Sequence, residues 1–187
     1  MILPIIAYGD PVLKTKAREI PRDYPNLGEF IQNMFETMYQ ANGVGLAAPQ
    51  VGRSLRLFVV DASPFDDEDP KLKDLKKVFI NPVIVEKWGE EWLFNEGCLS
   101  FPDLREDIYR PSNIRIKYHD ENFQLQEEEY DGISARIIQH EYDHVEGIVM
   151  VDRISPLKRR LIRNKLLNIT KGKVHADYPM KFPLKKK

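Results

Sequence analysis

Apolar residues recur at helical spacing most clearly in one stretch, where Leu27, Phe30, Ile31, Met34, Phe35, Met38 and Tyr39 make one broad stripe. The stripe predicts a core-packed helix with Asn26 as its cap and Glu29 three residues on, and it stops at Ala41-Asn42-Gly43. Ahead of it, Pro4, Pro11, Pro21 and Pro25 punctuate residues 1 to 25 and predict an extended, wrapping arm. Leu55 to Asp61, with β-branched Val59 and Val60, predicts a strand. Val78 to Val85 predicts another, whose Asn81-Pro82 points to an edge position or a bulge. Glu86 to Phe94, carrying Trp88 and Trp92, continues the sheet. Ile114 to Tyr118 and Phe123 to Tyr130 flank Asp120-Glu121-Asn122 as a hairpin.

Helical period returns after Asp131-Gly132, with Ser134 as a candidate cap. Ile133, Ile137, His140 and His144 share one face, Arg136 lies beside them, and the helix ends near Gly147. Ser155-Pro156 opens a last helix, made amphipathic and basic by Leu157, Arg160, Leu161, Lys165 and Leu166. Residues 170 to 187 read as a loose basic tail ending in Lys185-Lys186-Lys187. The acid-then-base run of residues 62 to 77 reads as a solvated, mobile loop with no function. The fold class expected is α+β. Mixed or antiparallel strands pack around a central helix bearing His140 and His144, with an N-terminal and a C-terminal helix, in a single catalytic domain over 1–187.

Composition narrows the function classes. At 187 residues the chain is long enough to bury a sizeable core, and 42% hydrophobic with 30% charged residues is a soluble globular balance. The 28 Lys and Arg offset 29 Asp and Glu, so no global basic field argues for DNA or RNA binding. Apolar runs such as Ile2 to Ala7 fall far short of the ~20 residues that span a bilayer. With no export signal visible and Cys98 the only cysteine, an internal disulfide is excluded and a reducing cytoplasm is expected.

Chemistry concentrates in Gln139-His140-Glu141-Tyr142-Asp143-His144. Histidines at i and i+4 share a helix face and reach one metal ion, and Glu141 stands where it can take a proton from an activated water. A third ligand is needed. Glu146, Asp152 and His175 lie downstream on no familiar spacing, whereas Cys98 upstream is the one soft ligand of the chain. Cys with two His gives three protein ligands and an open fourth position, a catalytic pattern. His119 beside its turn reads as solvated and His175 as no ligand. The run Gly43 to Gly52 is dense in small residues, and Gln50 is its one side chain with hydrogen-bonding reach.

Three blocks together carry a resemblance: Gly43-x-Gly-Leu-Ala-Ala-Pro-Gln50, Glu96-Gly-Cys98-Leu-Ser100 and Gln139-His140-Glu141-x-Asp-His144. In order and spacing they resemble the three signature motifs of the peptide deformylases, and the likeness runs from the Ile-Ile-Ala-Tyr-Gly-Asp-Pro-Val-Leu arm to about Asp152. The resemblance implies hydrolysis of the N-formyl group from the N-terminal formyl-methionine of new polypeptides, with release of formate. Cys98, His140 and His144 would hold the metal, and Glu141 would be the general acid/base for a metal-activated water. The Gln50 amide and the Leu99 N–H would form the oxyanion hole. Fe2+ is the metal the family implies, with Zn2+, Ni2+ or Co2+ able to take the same ligands. Gly45 would leave room for substrate backbone, and Ile133 and Ile137 would line the methionine pocket, with Arg136 skirting it. Arg105 is a candidate partner for Glu96. The basic C-terminal helix and tail are candidate contacts for the ribosome, beside the simpler reading of a solvated helix. A peptidase built on the same helix, or a non-catalytic metal-stabilised protein associated with translation, are the competing readings.

Overall fold

A computed structural model describes residues 1–184. Its elements in chain order are β1 (Ile5–Ile6), α1 (Leu27–Gln40), β2 (Gly45–Ala47), β3 (Leu57–Asp61), β4 (Lys76–Gly97), β5 (Arg105–His119), β6 (Leu125–Asp131), α2 (Gly132–Val145), α3 (Pro156–Leu161), α4 (Arg163–Thr170) and β7 (Met180–Lys181). β2 to β6 form one antiparallel sheet in sequence order, and β1 pairs with β7 in parallel. The α+β expectation holds. Among the described residues no helix is long and apolar enough to cross a membrane.

Helix α1 buries Leu27, Ile31, Met34 and Met38 against Leu57, Val59 and Ile80 of the sheet. Its cap differs from the expectation. Asn26 sits at the cap position with φ 55° and makes no side-chain capping bond, so the first turn is held by packing rather than by a capping box. Helix α2 lies on the same sheet and buries Ala135, Ile138 and Val145 with Phe58, Phe79, Ile114 and Ile116. Phe58 and Phe79 stack at 4.7 Å between ring centroids beneath it. Ser134 does not cap this helix, because Asp131 occupies the cap position and the Ser134 hydroxyl donates to its carbonyl at 2.7 Å. The helix stops where Gly147 takes φ 76°, a left-handed conformation open to glycine.

The two strands expected over residues 78 to 94 are one 22-residue strand, β4. It pairs with β3 through Lys76–Ile80 and with β5 from Ile80 onward. The Asn81 N–H donates to the Arg56 carbonyl at 2.8 Å, and the register shifts between Ile80 and Val83, so Asn81-Pro82 sits at a bulge between two neighbours rather than on an edge. Asn81 at φ 51° turns out of register and fixes the arm instead, exchanging bonds of 2.8 and 2.9 Å with the Ile20 backbone. The rest of β4 pairs only with β5, a ribbon that carries Glu96 and Gly97 to the foot of α2.

Two peripheral regions are more ordered than their composition indicates. Residues 63–65 and 70–72 are short 3-10 turns, the first tied by the Asp61 carboxylate to the Ser63 N–H at 3.0 Å, and Leu72 is buried. The segment read as a loose tail contributes β7, with the Ile5 and Ala7 amides donating to the Pro179 and Lys181 carbonyls at 2.8 and 2.9 Å. Lys185, Lys186 and Lys187 lie outside the described residues. The last predicted helix is two, α3 and α4, and the apolar face expected of it is split. Leu166 is buried, while Leu157 and Leu161 are 69% and 76% exposed.

Candidate metal centre and active site

Alternation along the β4–β5 ribbon decides what reaches the site. Trp92, Phe94 and Glu96 stand opposite Arg110, Ile108 and Glu106, and residues 106, 108 and 110 are all buried. Odd-numbered residues of β5 face out. Arg105 is therefore on the wrong face to hold Glu96, and it instead donates to the Asn95 side chain at 2.8 Å. The partner of Glu96 is Arg110, in a two-pronged bond of 2.7 and 3.0 Å, with Arg136 adding a third donor at 2.9 Å.

Arg136 thus does more than skirt the cavity. Its guanidinium also donates to the Ile108 and Trp92 carbonyls and lies 4.5 Å from the Trp92 ring centroid. Arg110 extends the network to Asp143 on α2 at 2.7 Å, and Arg153 reaches the same carboxylate. Arg110 and Arg153 were absent from the sequence-derived site, because cross-strand pairing and not local spacing brings them in.

This network orients the metal-type donors. Glu96 accepts from His140 Nδ1 at 2.8 Å, which leaves the other ring nitrogen of His140 facing Cys98. Cys98 Sγ is 3.3 Å from His144 Nε2, and one ligand atom from each of Cys98, His140 and His144 falls within 4.8 Å of the others. Burial would raise the Glu96 carboxyl, but the bonds from His140 and Arg110 outweigh it and hold the group far below the usual carboxylate range. Burial pulls the His144 imidazole down to about 3, so it is neutral and free to be a ligand. The chemistry of this donor set fits a divalent cation of the softer kind, with a carboxylate behind one histidine as metal sites require.

Glu141 projects from the same helix and is 4% exposed. Burial raises its carboxyl to about 7, and its Oε2 has no hydrogen-bond partner among the described residues. Gln50 is 1% exposed, its Oε1 accepts from the Ala47 N–H at 2.9 Å, and its amide nitrogen lies 3.5 Å from Cys98 Sγ and 3.3 Å from Ser100 Oγ. Gly45, Gln50, Cys98, Leu99, Ile133, Ile137, His140 and Glu141 all border one cavity of about 460 Å3. His144 lies behind them. Phe65, from the run read as functionless, lines the cavity too. His119 is half-buried against Phe123 rather than solvated, and His175 is exposed beside Asp177, neither near the donor set.

Residues 2–160 match the family model described as polypeptide deformylase. The chain belongs to that family. It is similar over its whole length to the peptide deformylase of Christiangramia forsetii, with 58% identity and 99% of that protein covered. Among solved structures, a peptide deformylase from Legionella pneumophila is 38% identical, with a TM-score of 0.80 over 92% of this chain and 98% of that one. The peptide deformylase from Thermotoga maritima is 42% identical, with a TM-score of 0.75 over 83% and 99%. As a family member the chain is a hydrolase. The sequence-level resemblance is therefore correct at the level of family and reaction class.

Within this family member, Gly45 carries a sharp steric constraint. A Cβ there would lie 2.8 Å from Glu141 Cγ and Cδ and nearer still to Oε1. Gly45→Ala is expected to keep the fold and displace the Glu141 carboxylate by a fraction of an ångström. Misplacements of this order cost up to ~100-fold in rate, so kcat should fall by about 10- to 100-fold with metal content unchanged. Steady-state kinetics beside metal analysis checks this.

Proposed function

We propose that the protein removes the N-formyl group from the N-terminal formyl-methionine of nascent polypeptides in the cytoplasm, as a single catalytic domain. The observation that carries the reading is the convergence of the Cys98, His140 and His144 donor atoms within 4.8 Å, beside a buried carboxyl, with Cys98 and His140 on the wall of a peptide-sized cavity and His144 behind them. These three residues would hold one divalent cation, with Fe2+ the first expectation, supplying Lewis acidity and a water of lowered pKa. Glu141 takes the proton from the attacking water and delivers it to the departing amine. A carboxyl raised to about 7 is well matched to both halves of that exchange. The Gln50 amide and the Leu99 N–H donate to the oxygen that becomes negative as water adds to the formyl carbon. Ile133 and Ile137 take the methionine side chain, and Gly45 lets the peptide backbone approach.

One feature favours formyl over peptide cleavage. The thiolate of Cys98 would leave the cation with a formal charge of about +1 rather than +2, a weaker electrophile that relies more on Glu141 and Gln50. The test is anaerobic purification with metal analysis, followed by formate release from a formyl-methionyl peptide against amine release from an acetylated one. Formate release with one equivalent of metal, lost on chelation and restored by Fe2+, is the expected result. Cleavage of internal peptide bonds without formate would mean a peptidase.

A further inference from the structure

The turn that follows Cys98 is held by its carbonyls. The Cys98 carbonyl accepts from the Phe101 N–H at 2.8 Å and the Ser100 carbonyl from the Tyr8 N–H at 2.9 Å. The carbonyl between them, that of Leu99, accepts from the Tyr178 hydroxyl at 2.9 Å. Tyr178 comes from the segment after α4, beyond residue 160 where the family match ends. It is fixed there by the pairing of β7 with β1, since Pro179 and Lys181 bind the Ile5 and Ala7 amides. Its ring also borders the cavity next to Leu99.

We propose that Tyr178 is a positioning residue, through which the C-terminal segment aims the Leu99 N–H at the reacting carbonyl. The Leu99–Ser100 peptide plane is held by the Tyr178 hydroxyl on the Leu99 carbonyl, and the planes before and after it are held by the Phe101 and Tyr8 amides on the Cys98 and Ser100 carbonyls. The Leu99 N–H lies in the Cys98–Leu99 plane, so fixing the following plane through Tyr178 restricts the Leu99 backbone torsions that would reorient that N–H. Burial also raises the Tyr178 phenol, so it remains protonated and donating at any pH at which the protein functions. The segment that forms β7 therefore has a role in the reaction without touching the reacting atoms.

The rate expectation rests on the deformylase reading, so the test needs a second readout that does not. Tyr178→Phe keeps the ring and removes only the donor. In the metal-loaded variant kcat should fall about 5- to 20-fold, a fraction of what complete loss of an oxyanion donor costs, with KM within about twofold. In parallel, hydrogen exchange is followed in a peptide spanning residues 97 to 101, which does not contain the substitution. There the amides should exchange at least about fivefold faster than in the parent, through easier local opening. Unchanged exchange overturns the proposal whatever the kinetics show. Faster exchange with unchanged kcat overturns it as well, since the turn is then loosened without consequence. Should the parent itself release no formate, the functional reading fails, and exchange alone decides whether Tyr178 holds Leu99.

Discussion

Glu141→Ala is expected to bind one equivalent of metal and to release formate on the order of 1,000- to 10,000-fold more slowly than the parent, the upper range for a lost general acid/base. Glu141 is not in the donor set, and His140 is held from behind by Glu96 rather than by Glu141. Metal analysis of the variant should therefore match the parent. Stability should not fall either. The Glu141 carboxyl is buried with one oxygen unpartnered, and a buried unsatisfied carboxyl is a cost to the fold that alanine removes. The midpoint of thermal unfolding is expected to be equal or higher. Loss of activity with gain or parity in stability separates a catalytic carboxylate from a structural one. Glu141→Gln, which keeps the volume and cannot take the proton, should be as slow as the alanine variant. Turnover within tenfold of the parent in either variant would remove Glu141 from the mechanism.

The parts of this site that were legible in the sequence are those set by helical spacing. His140, Glu141 and His144 declare their shared surroundings by position alone, and Ile133 and Ile137 fall on the cavity side by the same period. Cys98 and Gln50 were legible as the only soft ligand and the only reaching side chain of their blocks, with their roles drawn from resemblance. What was not legible depends on the parity of a strand. Arg105 and Arg110 are equally plausible partners for Glu96 until the register Glu96↔Glu106 is known, and that register turns Arg105 outward and Arg110 inward. A shift of one residue would have exchanged them. Asp143 was visible within the motif, but its role as the hinge between Arg110 and Arg153 was not. The C-terminal segment misled for another reason. Its composition is that of a loose tail, while its order draws on backbone bonds to the β1 segment, a tyrosine hydroxyl and the packing of Val174, Met180 and Phe182 on the core, to which composition is blind. In strand β4 the Asn81-Pro82 pair left an edge position and a bulge both open, and the bulge occurs, with the Asn81 amide pairing with the Ile20 backbone.

Gln50→Ala is expected to lower kcat by about 100- to 1,000-fold, the cost of one oxyanion donor, with KM changed far less. The side-chain amide is immobile before substrate arrives. Its Oε1 is committed to the Ala47 N–H, and that bond dictates that the nitrogen, not the oxygen, is turned toward Cys98 and Ser100. A donor oriented in advance costs nothing to reorganise when charge develops, which is why it acts on the rate more than on binding. The same geometry predicts a stability penalty that Glu141→Ala lacks. Alanine at position 50 orphans the buried Ala47 N–H, at a cost of about 1–3 kcal/mol. Gln50→Glu separates the two effects. It retains the acceptor for Ala47, so the orphaned amide is restored, while the buried carboxyl adds its own desolvation cost. It loses the donor and sets a carboxylate beside the Cys98 sulfur, so the rate should be no better than that of the alanine variant. Chemical denaturation of both variants beside their kinetics checks this. A glutamate variant with restored activity would show that the amide nitrogen gives nothing to the reaction.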